Sequence, residues 1–170
     1  MNKFIVSLCV LFSASAMAST VTAYDPQVYL DDQYEVIQEH FSGFDVTKEE
    51  GSIVVTIPTD KGFAVGGHTL TRSVRDRVKR LGVYLNEHNE SLINVYGHTD
   101  STGSATRNEE LSLQRANTVV EQLLAVYVNP YRITVKGEAA EVPKCTNASE
   151  RGKACNRRVE IEITFSQMRF

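Results

Sequence analysis

Beyond residue 18 the chain has no uninterrupted apolar run of even ten residues. A membrane-spanning helix needs about 20, so the bulk of the chain offers no transmembrane anchor. An excess of basic charge is also missing. Lys and Arg total 18 against 21 Asp and Glu, a formal net charge of -3, which argues against bulk electrostatic binding of nucleic acid. No internal repeat, proline-rich linker or low-complexity tract breaks the 170 residues, excluding solenoids, collagen-like chains and disordered tails. The four His, at 40, 68, 88 and 98, are scattered without metal-ligand spacing. What remains is a chain with 42% hydrophobic and 23% charged residues, enough to bury one core and to bind through a local site.

The one apolar run is at the start. Met1-Asn2-Lys3, the stretch Phe4 to Phe12 and the small-x-small box Ala16-Met17-Ala18 together read as a secretory signal peptide over residues 1–18. Val6-Ser7-Leu8-Cys9 resembles a lipobox faintly, but it comes too early and would leave Val10-Leu11-Phe12 exposed. Removing the leader takes away Lys3 and no acid, leaving 17 basic against 21 acidic groups, net -4. It also takes away Cys9, so Cys145 and Cys155 remain as an even pair in an oxidising compartment, the setting for a disulfide. Closing so short a loop contributes about 2.5 to 3 kcal/mol in the chain-entropy account. Zinc is the alternative, but no His or second Cys pair lies near these two.

The organisation reads as a leader 1–18, an N-terminal extension 19–52 and a single domain 53–170. Residues 19–29 read as an irregular lead-in, followed by a short helix on Leu30, Tyr34, Ile37 and Phe41, ended by Gly43. Phe44 to Thr47 and Ser52 to Ile57, flanking Lys48-Glu49-Glu50-Gly51, predict a β-hairpin stopped by Pro58. From Gly66 the period lengthens: Leu70, Val74, Val78, Leu81 and Leu85 form one helical stripe. Opposite it lie Arg72, Arg75, Arg77, Lys79 and Arg80, with Asp76 spaced to pair with Arg80. This basic side is either a solvated face or a contact surface for an anionic partner. Leu92 to Thr99 predicts a strand, and a second helix carries Leu113, Ala116, Val120, Leu123, Leu124 and Tyr127 up to Asn129-Pro130. Tyr131 to Lys136 and Val159 to Phe165 are the last strands, separated by the polar cysteine loop. The fold class is α/β (α+β), a βαβαββ mixed sheet covered on one face by two helices, with the helix and hairpin as an extension.

Chemistry gathers in Gly97-His98-Thr99-Asp100-Ser101-Thr102-Gly103 and in Asn108 to Ala116. Asp100 follows a strand end, while Asn108 and Arg115 are seven apart and share a helix face. A carboxylate, a guanidinium fork and an amide can receive a zwitterion, Asp100 accepting from an ammonium and Arg115 gripping a carboxylate. The same residue types also form structural ion pairs. His98 and Asp100 as an acid/base pair lack a nucleophile or a metal set, which speaks against catalysis. Asn89-Glu90-Ser91 and Asn147-Ala148-Ser149 match a glycosylation sequon that carries little weight here.

Four ordered blocks carry a resemblance: Phe63…Gly66…Leu70, Gly97 to Gly103, Asn108-x-x-Leu111-Ser112-x-x-Arg115-Ala116, and Asn156-Arg157-Arg158-Val159-Glu160-Ile161. Over about residues 53–165 the chain resembles the OmpA-like C-terminal domains that bind peptidoglycan. The resemblance implies capture of meso-diaminopimelate without turnover and with no cofactor or metal. In it the position of Asp100 holds the amine, that of Arg115 the carboxylate, and those of Thr99, Asn108 and Arg157 add contacts. Such domains often have Asp or Asn after the matching Phe, whereas this chain has Ala64. The preface before residue 53 lacks the many alternating strands of a membrane barrel. The implied setting is an exported, periplasmic, wall-associated protein, tethering itself or an outer-membrane or envelope-complex partner. The alternative is an envelope protein-protein interaction module in which wall binding is secondary.

Overall fold

The computed structural model describes residues 25–166; residues 1–18, read as a signal peptide, and Cys9 among them lie outside this range. The elements run in the order α1 (Pro26–His40), β1 (Asp45–Glu49), β2 (Ser52–Pro58), α2 (Thr59–Gly62), α3 (Arg72–Glu87), β3 (Ser91–His98), α4 (Ala105–Leu124), a 3-10 turn (Pro130–Arg132), β4 (Ile133–Ala139), α5 (Glu150–Asn156) and β5 (Arg158–Phe165). All five strands join one sheet in the order β1-β2-β5-β3-β4. Only β3 and β4 are parallel, with α4 as their crossover; the other neighbours are antiparallel. The mixed α/β class read from the pattern of periods is the one the chain adopts.

Registry across the sheet explains the core. Val46, Val55, Ile161, Val95 and Val135 form one transverse row, and Ile53, Ile163, Ile93 and Ile133 another. Alternation puts both rows on one face. These residues share a single hydrophobic cluster with Val74, Val78, Leu81 and Leu85 of α3 and Ala116, Val119 and Leu123 of α4. A third helix belongs to the cluster. α1 starts at Pro26, inside the stretch read as irregular, because the Asp25 carboxylate accepts the Gln27 amide at 2.9 Å and Pro26 fits the first turn. It contributes Tyr29, whose ring lies 5.4 Å from Phe165, and is followed by Phe41, 5.8 Å from Tyr84 of α3. The N-terminal helix and hairpin are therefore packed into the same core and sheet as the rest.

Several boundaries differ from the sequence reading, each for a local reason. Leu70 precedes α3 and forms a bridge with Phe63 that closes the intervening loop. α4 presents Asn108, Ser112, Arg115, Ala116, Val119 and Leu123 inward; Leu113 and Leu124 are about two-fifths exposed and Tyr127 is 86% exposed. The helix stops before Asn129. Tyr127 takes φ +67°, its amide bonds Leu124 O, and the Val128 amide bonds Leu123 O, a left-handed helix cap without glycine. In the cysteine loop a short helix, α5, forms with Ser149 accepting the Gly152 amide. On α3, Asp76 lies 4.0 Å from Arg72 and from Arg75, not against Arg80.

The row at the C-terminal end of β3 departs from the apolar pattern: Val159 pairs with Gly97, which pairs with Gly137. A Cβ on Gly97 would fall 1.9 Å from the Ser112 carbonyl oxygen, and one on Gly137 would fall 2.7 Å from Ser112 Oγ. α4 thus rests its backbone directly on the sheet at this row. Gly97→Ala is expected to lower unfolding free energy by about 3 kcal/mol, read by urea denaturation, since a helix backbone rather than a flexible side chain must move.

Candidate binding pocket at the end of the sheet

Antiparallel pairing brings the end of β2, the start of β5 and the end of β3 to one edge of the sheet. Pro58 pairs with Arg158, and Val159 with Gly97. The residues just beyond these pairs, Asp60, Arg157, Thr99 and Asp100, therefore converge although up to 97 positions separate them. The first three turns of α4 and the loop after α2 complete a cavity of about 540 Å³, which Thr99, Asp100, Asn108, Arg115 and Arg157 all line.

Each side chain is fixed by a traceable contact. Asp100 Oδ1 accepts the Thr102 amide at 2.8 Å, folding the turn after β3, while Oδ2 accepts Arg157 Nη1 at 2.6 Å. Burial pushes the Asp100 carboxyl up, but the Arg157 and Thr102 hydrogen bonds outweigh it, and the group is held below the usual carboxylate range. Asn108 Nδ2 donates to the carbonyls of Asp100 at 3.2 Å and Thr102 at 3.1 Å, so the amide holds the turn in place. Thr99 Oγ1 is buried and has no hydrogen-bond partner among the described residues.

Arg115 is 5% exposed. Its Nε donates to Gly67 O at 2.9 Å, pinning the loop over the pocket, and its guanidinium carbon lies 5.7 Å from the centre of the Phe63 ring. Among the described residues no acceptor is hydrogen-bonded to its two terminal nitrogens. Burial lowers the pKa of Arg115, and the charge of Asp60 is the largest opposing influence. A buried cation with an open fork is an arrangement suited to a carboxylate.

One acid that the sequence reading did not pick out belongs here. Asp60 accepts Arg157 Nε at 2.9 Å on one oxygen and Nη2 at 2.6 Å on the other. This bidentate bond holds the Asp60 carboxyl below its ordinary range despite partial burial. Ala64 also lines the cavity and contributes no polar group. No local pattern marks Asp60; only the β2-β5 register brings it to Arg157, with the Thr59 amide bonding Arg157 O at 2.9 Å.

Behind this end of the sheet the cysteine loop braces Arg157. Cys145 and Cys155 are bonded, with Cα atoms 6.0 Å apart. The buried Asn156 side chain accepts the amides of Lys144 and Cys145 and donates to Cys145 O and Asn147 Oδ1. Asn147 Oδ1 in turn accepts the Ser101 amide at 3.2 Å, joining the loop to the turn that carries Asp100.

A profile of the OmpA family matches residues 62–157. The chain belongs to the OmpA family. Among relatives of this family member, the protein named lipoprotein YiaD of Escherichia coli is 32% identical over 138 residues, 80% of this chain and 63% of YiaD. The chain thus spans less than two thirds of that relative. Of solved structures, a MotB-like protein from Desulfovibrio vulgaris superposes with TM-score 0.72 at 27% identity, covering 84% of this chain and 97% of the other. The cell wall anchor of the T6SS from Pseudomonas aeruginosa gives 0.64 at 27% identity, covering 84% and 98%. Among the described residues no helix is long and apolar enough to cross a membrane.

His98 points away from the pocket. It is buried on the other side of the sheet, with Nε2 3.5 Å from Glu160, whose carboxylate also accepts Arg158 Nε at 2.7 Å. Burial raises the pKa of Glu160, yet His98 and Arg158 prevail and bring it down to about 2. A depressed carboxyl adds stability above its unfolded pKa, and that contribution disappears as pH falls through the folded one. Stability is therefore expected to fall between about pH 4.5 and pH 2. In urea titrations at stepped pH, Glu160→Gln should be less stable at neutral pH and lose less across this window. A wild-type slope retained in full by the variant would show that Glu160 is not a source of it.

Proposed function

We propose that this OmpA-family chain is a non-catalytic peptidoglycan-binding protein whose pocket takes the meso-diaminopimelate of cell-wall stem peptides. The observation that carries this reading is the buried Arg115, its terminal nitrogens without a hydrogen-bonded acceptor among the described residues, in the same cavity as the Asp100 carboxylate. A zwitterionic amino-acid centre answers both, its carboxylate meeting Arg115 and its ammonium meeting Asp100. Thr99 lines the same cavity, Asn108 holds the Asp100 turn, and Arg157 sets the carboxylate. The similarity to a cell wall anchor supports the polymer to which such a ligand belongs. No step of this role requires a nucleophile, metal or cofactor.

In this reading the protein is exported and works in the periplasm, tethering itself or an envelope partner to the wall. Two charge-assisted anchors contribute about 1.5 to 3 kcal/mol each, giving a single-site Kd on the order of millimolar to tens of micromolar. The wall repeats the ligand many times, so rebinding retains a protein whose individual contacts are weak. A net charge near neutrality adds no long-range attraction, leaving selectivity to the pocket.

Sedimentation with purified sacculi tests this. Wild type is expected in the pellet and to be released by free meso-diaminopimelate, whereas Asp100→Ala and Arg115→Lys, folded by circular dichroism, remain in the supernatant. Equal retention of all three, or no competition, would contradict the assignment.

A further inference from the structure

The acid side of the pocket poses an electrostatic problem. Asp100 is the carboxylate placed to receive an ammonium, yet Arg157 Nη1 already holds its Oδ2 at 2.6 Å. An Asp-Arg pair alone is neutral overall, and a neutral pair attracts a cation poorly. Asp60 changes that balance. It occupies the Nε and Nη2 edge of the same guanidinium through both its oxygens. One positive charge is thus shared by two carboxylates, each held ionised by it, and the cluster has a net charge of -1. Arg115 lines the same cavity and feels Asp60 more strongly than Asp100. Asp60 is half exposed at the cavity lining, so its charge reaches a ligand there without the desolvation cost of full burial.

We infer that Asp60 is the specificity-determining residue of the pocket: by taking up the charge of Arg157 it leaves Asp100 able to accept an ammonium, and so selects a zwitterion over a plain carboxylate. The inference rests on the diaminopimelate reading and assigns Asp60 a role apart from contact with the ligand. It also gives Arg157 a function set by two partners, since the guanidinium orients Asp100 only while its other edge is held.

The test compares two probes of one carbon skeleton, meso-diaminopimelate and pimelate, the latter having both carboxylates and no amines. Binding to the full mature chain is read by NMR titration, with thermal melting to confirm folding. Wild type is expected to prefer meso-diaminopimelate. Asp60→Asn should bind meso-diaminopimelate about tenfold more weakly, the equivalent of one charge-assisted hydrogen bond, and pimelate at least as well as wild type does. Asp60→Glu, which keeps the charge, should retain the preference. If wild type binds meso-diaminopimelate and Asp60→Asn keeps the same ratio between the probes, or loses both alike, the selectivity role is overturned while the function stands. If wild type binds neither probe, the diaminopimelate reading fails and this inference with it.

Discussion

The pocket depends on the contact of one helix backbone with two glycines. Gly97 and Gly137 lie side by side on β3 and β4, and Ser112 of α4 occupies the space their side chains would need. Ser112 is itself fully enclosed. Its hydroxyl donates to Glu109 O at 2.9 Å and accepts the Ala139 amide at 3.2 Å, bonding helix to sheet at the point of closest approach. Asn108 lies one turn before this contact and Arg115 about one turn after it, so both heights above the strand end are fixed together. A helix held several ångströms further out would leave Arg115 short of Gly67 and Asn108 short of the Asp100 turn. Close packing here determines electrostatics, because it decides which charges share a cavity.

The charges then organise each other. Asp60, Arg157 and Asp100 form a chain of alternating sign along one wall, joined by three short hydrogen bonds. Arg115 lines the same cavity with its guanidinium carbon over the Phe63 ring, and among the described residues its two terminal nitrogens have no hydrogen-bonded acceptor. The charged side chains lining the pocket are Asp60 and Asp100 with Arg107, Arg115 and Arg157, so carboxylates and guanidinium groups share one cavity. The cystine and the Asn156 network hold the segment carrying Arg157 from behind, and Asn147 transmits that hold to the Asp100 turn. Rigidity at such a site reduces the ordering cost on binding, which matters for a ligand with few anchors.

Much of this was legible in the residues. Period-2 and period-3.6 patterns identified the hairpin, α3, β3 and β5, and the blocks around Asp100 and Arg115 marked the site. The inward face of α4 was misread, and the reason is physical. Near the sheet its buried positions are Asn108, Ser112 and Arg115, polar residues satisfied by the turn, the sheet and the loop, while Leu113 and Leu124 lie outward. A hydrophobic stripe cannot reveal a face that is buried because it forms a site. α5 escaped notice because Glu150–Asn156 has no apolar period and owes its position to the disulfide and Asn156. Asp60 escaped because only strand register, a long-range property, brings it to Arg157.

The most direct measurement is an NMR titration of isotope-labelled protein with meso-diaminopimelate, followed by intermolecular contacts at saturation. The predicted result is that the Arg115 side-chain guanidinium signals and the Thr99 to Gly103 amides shift together, with the ligand's methylenes close to Phe63 and Leu111. Shifts confined to another surface, such as the basic face of α3, or none at millimolar ligand, would contradict the account.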